Sequence, residues 1–230
     1  MRKDFIIFGD SHSEYFQGTF EEVNIFKASS AKGLNNENSK SKTNEIIINK
    51  LKNIKDDSNI IFFFGKVDID FILNYKYNTT NMTHVEFKKY LSNIVDSYIN
   101  FIKANVGNKK IFVCELPILH LNSNEMLRVL KKEGHLNNIN SNLSDADKNK
   151  YSNYNKVIPY GTHLKYYNLF NNRLKILCRE NNFKFLEINK YFHNGDNNYK
   201  IPSKYKKKTI NHHLNNNVIE LYLKSLNDLK

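Results

Sequence analysis

The chain has 230 residues, of which 40% are hydrophobic and 13% aromatic, with 35 Lys and Arg against 23 Asp and Glu and a formal charge of +12. That length suits a single domain, 1–230, with a sizeable core, and no apolar run reaches membrane-spanning or signal-peptide length, so a soluble intracellular protein is expected. The positive balance would attract an anionic substrate, nucleic acid or acidic lipid, but there is no zinc-finger spacing, Gly-Lys phosphate loop or recognition-helix motif, and nucleic acid is not the expected partner.

Residues 4–8 form a short apolar run that stops at Gly9, the pattern of a central strand buried on both faces. Residues 23–26 read as a second strand, followed by a loop rich in small residues, Lys27 to Leu34. Helical spacing of Ile and Leu predicts a helix over 44–54, and the run at 59–64 is the clearest central strand, ended by Gly65. Residues 84–105 carry an amphipathic stripe from Val85 to Ile102; Thr83 with Glu86 supplies a capping box and Gly107 a stop.

A strand at 110–114 cannot run far beyond Leu116, since Pro117 has no backbone N–H to give to a ladder. The stretch at about 121–160 is polar and reads as an insertion over the strand ends, with short helices near 124–132 and 144–151. A helix over 163–181, a strand at 183–188, a basic loop over 196–208 and a closing helix over 215–229 complete the chain. Five strands alternating with helices give an α/β class, a three-layer α/β/α sandwich around a mainly parallel sheet. Cys114 and Cys178 have neither metal-ligand nor secreted-disulfide spacing and read as small buried hydrophobes.

In open α/β sheets the functional groups collect at the carboxyl ends of the strands. Ser11, two residues past the first strand, sits where a hydroxyl would project from that edge. A serine hydroxyl is a poor nucleophile until a base takes its proton. The pair His212-His213, just before the last helix, is the natural source of that base. Backbone N–H groups of Ser11 and Gly33 are candidate donors to an oxyanion. His12 and Asn211 are candidate substrate contacts, with His12 more readily a turn cap. His84 and His163 start helical segments and read as surface or capping residues. The types His12, His212 and His213 also allow a metal site, but the placement of the serine argues against one, and no metal or cofactor is expected. Within the basic run Lys200 to Lys208, the lysines either border the site or form a solvated loop.

Four blocks, Gly9-Asp10-Ser11-His12, Gly33, Gly65-Lys66-Val67-Asp68 and His213-Leu214, span nearly the whole chain in an order that resembles the SGNH, or GDSL-type, hydrolase family. The resemblance implies a flavodoxin-like three-layer fold, no cofactor, Ser11 as nucleophile and His213, followed by Leu, as base in preference to His212. It implies an esterase or deacetylase acting on a small-molecule or glycan O-acyl ester. The alternatives are an acyltransferase, or a non-catalytic carbohydrate- or polyanion-binding protein on the same fold.

Two positions depart from the family pattern. Gly-x-Asn-Asp of the third block has Val67 where the Asn amide would donate, leaving Lys66 as a cationic substitute or a solvent-facing side chain. Asp68 and Asp70 are expected to hold the loop through backbone N–H groups, with Gly65 as support. In Asp-x-x-His, the acid is replaced by Ile210 relative to His213 and by Thr209 relative to His212. A backbone carbonyl, Asn211 or a remote acid such as Asp196 is then needed to orient the base.

Overall fold

The computed structural model describes residues 2–36, 38, 39, 41–133, 156–192 and 201–229. Five parallel strands, β1 (Arg2–Gly9), β2 (Phe20–Ile25), β3 (Asn59–Phe63), β4 (Lys110–Cys114) and β5 (Lys184–Leu186), form one sheet in the order β2-β1-β3-β4-β5. This is the doubly wound order in which β1 lies at the topological switch point, where neighbouring connections leave in opposite directions and open a crevice. Gly9 pairs with Ile25 on one side and Phe63 on the other, so three strand ends finish level at the edge that Ser11 leaves.

The sheet is apolar on both faces because both are covered. In β3, Ile60 to Phe63 are all fully buried. Phe64, just beyond the strand, meets Tyr98 of helix α4 (His84–Asn105) at 6.1 Å between ring centroids. Phe63 faces the other way and meets Tyr222 of the last helix, α7 (Ile219–Asp228), at 5.5 Å. Helix α6 (Tyr160–Glu180) contributes Tyr167, Phe170 and Leu174 to the buried core. Helices α1 (Ala31–Leu34), α2 (Thr43–Asn53) and α5 (Ser123–Glu133) complete the covering layers. Among the described residues no helix is long and apolar enough to cross a membrane.

Thr83 and Glu86 form the capping box at the start of α4: the Glu86 N–H donates to Thr83 Oγ1 at 3.3 Å, and the Thr83 N–H to Glu86 Oε2 at 2.6 Å. Cys114 and Cys178 are buried free thiols. One element was not expected. Residues Asp68–Ile72 form a π-helical turn that runs into α3 (Leu73–Thr79). The segment buries Ile69, Phe71 and Leu73 together with Asp68, Asp70 and Asn74, so polar and apolar side chains alternate in the interior and no simple apolar stripe marks it. The helix expected near 144–151 and the remote acid Asp196 fall outside the described residues.

Gly65 makes the turn from β3 into that π segment at φ +127, a conformation open essentially to glycine alone. A Cβ there would stand 2.6 Å from Phe170 Cζ. Gly65→Ala is therefore expected to cost about 1–3 kcal/mol for backbone strain and a comparable amount for overpacking. Urea denaturation should show the midpoint falling with the slope unchanged.

Candidate active site

Ser11 reaches the sheet edge on a 3-10 turn, Ser11–Phe16, whose N-cap is Asp10. The Asp10 N–H donates to Phe63 O at 3.0 Å, and the Asp10 carboxylate accepts the His12 N–H at 2.9 Å. Gly9 is required by close approach, since a Cβ would lie 2.6 Å from Ser13 Cβ and 2.8 Å from Phe63 O. The turn is thus tied to β3 as well as β1, and it leaves Ser11 partly exposed while His12 and Ser13 are buried.

The segment Asn211 to Leu214 returns to the same edge. The Leu214 N–H donates to Tyr15 Oη at 2.9 Å, and Leu214 pairs with Lys206 in an isolated antiparallel bridge. The His120 Nε2–H donates to Asn211 O at 2.8 Å. With the segment so anchored, His213 Nε2 lies 3.0 Å from Ser11 Oγ, across 202 positions of sequence.

The other ring nitrogen determines what that contact means. The backbone N–H of His213 donates to Asn211 Oδ1 at 2.8 Å. A backbone amide can only donate, so the oxygen of the Asn211 side chain, and not its NH₂, faces His213. The same Oδ1 lies 3.1 Å from His213 Nδ1. Nδ1 then carries the proton, and Nε2 presents its lone pair to the Ser11 hydroxyl. The group that orients the ring is an amide two residues before it, where the family pattern has a carboxylate three residues before.

His212 is buried, edge-on to Phe71 at 5.1 Å, and its ring lies 3.9 Å from that of His213. His12 packs against both, at 5.2 Å from His212 and 4.3 Å from His213. Its Nδ1 lies 3.0 Å from Asp10 Oδ1. Burial, then repulsion from the other two histidines, holds the His12 ring well below the usual histidine range. Burial also pushes the Asp10 carboxyl up to about 7.

Asp68 ties two loops together through backbone N–H groups. Its oxygens accept the Ala31 N–H at 2.6 Å and the Lys32 N–H at 3.2 Å, fixing the start of α1 to the turn after β3. Burial raises its carboxyl to about 7 even with those bonds. The Gly33 N–H is used within its own turn, donating to Ser30 Oγ at 3.0 Å. Val67 is buried, 5% exposed.

Lys66 does not run to solvent. It is 2% exposed, with Nζ 3.1 Å from Asp70 Oδ2, and it donates to Tyr167 Oη, which donates in turn to Asp70 Oδ1. Asp70 therefore pairs with a cation and a phenol, not with backbone N–H groups. Burial pushes the Asp70 carboxyl up, but Lys66, then His163 and Tyr167, more than offset this and hold it below the usual range. His163, expected at the surface, is buried, with Nε2–H donating to Ile69 O at 3.0 Å. Sequence reasoning passed over Asp10, Tyr167 and His120, and only Asp10, adjacent to the serine, offered a positional signal.

A cavity of about 150 Å³ adjoins Asn211, lined in part by His120, Glu125, Lys206, Lys207 and Lys208. A larger groove of about 440 Å³, lined by residues such as Leu51, Asp56 and Lys109 that flank the starts of β3 and β4, lies at the opposite edge of the sheet from Ser11.

No family model matches the sequence, and no curated protein matches it. Solved structures do match in fold. An extracellular lipase from Streptomyces rimosus superposes with a TM-score of 0.55 at 11% identity, covering 100% of both chains. A GDSL-like lipase from Bacteroides thetaiotaomicron gives 0.52 at 12%, covering 98% of this chain and 86% of that one. A carbohydrate acetylesterase from Sinorhizobium meliloti gives 0.50 at 12%, covering 99% and 98%. The chain has the three-layer α/β/α fold of the GDSL-like hydrolases.

Burial, then the Lys66 charge, lowers the His120 imidazole to about 4 from its ordinary 6.5. Between those values the unfolded chain takes a proton that the folded chain refuses. His120 thus leaves stability intact above pH 6.5 and erodes it progressively as pH falls toward 4. From pH 7.5 to 5, wild type is expected to lose about 2 kcal/mol more than His120→Gln, at 1.36 kcal/mol per pH unit below 6.5. Urea titrations of both proteins at the two pH values measure the difference.

Proposed function

We propose that this protein is a serine-dependent ester hydrolase, working from the GDSL-like fold and carried by one observation: Ser11 Oγ lies 3.0 Å from His213 Nε2, whose Nδ1 is held at 3.1 Å by Asn211 Oδ1. Nε2 takes the hydroxyl proton as Oγ attacks an acyl carbonyl. The imidazolium keeps its Nδ1–H on Asn211 and returns the Nε2 proton to the departing alkoxide. Water then repeats the sequence on the acyl-enzyme, with the same His as base. The Ser11 N–H, at the start of its turn, is the proposed oxyanion donor.

The machinery is pared down. A neutral amide replaces the carboxylate that would steady the imidazolium, and Val67 replaces an amide donor. Losing one oxyanion donor typically lowers turnover by about 10²–10³, so a slow enzyme is expected. Lys206, Lys207 and Lys208 beside Asn211 favour an anionic O-acyl ester. The solved acetylesterase of like fold supports a carbohydrate as the bearer of the acyl group.

A fluorophosphonate probe should attach to Ser11 at one equivalent, located by peptide mass spectrometry, and Ser11→Ala should abolish both labelling and hydrolysis of short-chain aryl esters. Wild type and Ser11→Ala turning over equally would overturn the proposal. Asn211→Asp should raise kcat/KM about fivefold, the roughly 1 kcal/mol separating a neutral from a charge-assisted hydrogen bond. Asn211→Ala should lower it.

A further inference from the structure

Beside the serine lies a second chemical grouping that the hydrolytic step does not use in full. His12, His212 and His213 each offer a ring nitrogen, and the three nitrogens lie within 4.8 Å of one another. Two segments supply them, the turn after β1 and the anchored loop before α7. We propose that His12, His212 and His213 form a three-histidine site for a zinc-class divalent ion, and that occupancy of this site silences Ser11.

Imidazole nitrogens favour Zn²⁺ and its neighbours over the oxygen-seeking ions. A tetrahedral ion with Zn–N bonds of about 2.0–2.1 Å holds its ligand nitrogens about 3.4 Å apart. The cluster therefore has to close by up to about 1.4 Å for an ion of this geometry. His12 is already built as a metal-ligating histidine is built. Its Nδ1 is engaged by the Asp10 carboxylate at 3.0 Å, which fixes the ring and directs Nε2 away from the acid. That Nε2 is buried in a residue of 0% exposure and has no hydrogen-bond partner among the described residues. Asp10 Oδ2 is likewise buried without one. A cation at Nε2 would use the first and give the carboxylate a compensating charge one ring away. The half-buried edge of His213 offers a route of entry.

The silencing follows from valence. A neutral imidazole has one lone pair. With Nδ1–H held on Asn211 Oδ1, the lone pair of His213 is on Nε2, the same pair that takes the Ser11 proton. An ion bound there occupies the base. This half of the inference rests on the esterase reading; the site itself does not.

The test is titration of the purified, metal-free full chain with Co²⁺, followed by displacement with Zn²⁺. One equivalent should give the visible absorption of a four-coordinate cobalt ion, and Zn²⁺ should abolish it. His12→Gln and His212→Gln should each weaken binding at least tenfold, with far-UV circular dichroism confirming the fold. Should a buried variant fail to fold, His213→Gln, at the half-exposed ring, decides. No stoichiometric cobalt spectrum, or affinity unchanged in every folded variant, would overturn the site. Stoichiometric Zn²⁺ should slow fluorophosphonate labelling of Ser11 more than tenfold, with recovery on adding EDTA; labelling indifferent to bound zinc would overturn the silencing. A metal-free protein that never labels would count against the esterase reading, while the cobalt titration would still decide the site.

Discussion

Everything proposed for this molecule passes through the contact between Ser11 Oγ and His213 Nε2, made by residues from opposite ends of the chain. Neither residue reaches it by its own local preference. Ser11 is placed by a strand end whose glycine packs directly on Phe63 O and by a turn capped through Asp10. His213 is placed by a loop fastened on both sides, by Tyr15 to the Leu214 N–H and by His120 to the Asn211 carbonyl. Holding a nucleophile and its base in register before substrate arrives is what a rigid scaffold contributes to catalysis.

Beneath this contact lies an unusual amount of buried polarity for a protein edge. Lys66, Asp70 and Tyr167 form a closed set under the turn after β3, and Asp68 ties that turn to α1. Buried ion pairs are poor sources of net stability, because desolvation offsets most of the attraction. Their geometry is nonetheless demanding, and here it fixes the relative positions of the loops leaving β2 and β3. Lys66 is spent on this task. A lysine neutralised by a carboxylate at 3.1 Å is badly placed to serve a developing oxyanion as well.

The fold was legible because the strands announce themselves. Ile60 to Phe63 can be apolar without interruption only if both faces are covered, and that alone indicates a layered α/β sheet. The boundaries of α4 followed from Thr83, Glu86 and Gly107, whose local chemistry is independent of the rest of the chain. The segment Asp68–Thr79 was not legible, because buried polar side chains are interleaved with its core residues and several of their partners, Ala31, Ile158 and Tyr167, are distant in sequence. The same reason hid the role of Lys66. A charged residue after a strand reads as solvated until its partner 101 positions away is seen. Asn211 was among the candidate orienters, but its advantage over a backbone carbonyl emerges only from the paired contacts to the His213 N–H and Nδ1.

The proposed chemistry requires that the Asn211 amide oxygen hold His213 with its proton on Nδ1 and its lone pair toward Ser11. Long-range ¹⁵N–¹H correlation of the imidazole nitrogens in metal-free protein, with His213 assigned by comparison with His213→Gln, reads that tautomer directly. A pyrrole-type Nδ1 and a pyridine-type Nε2 are expected at pH values where the ring is neutral. The reverse pattern, with the proton on Nε2, would contradict it, because the ring would then have no lone pair to receive the proton of Ser11.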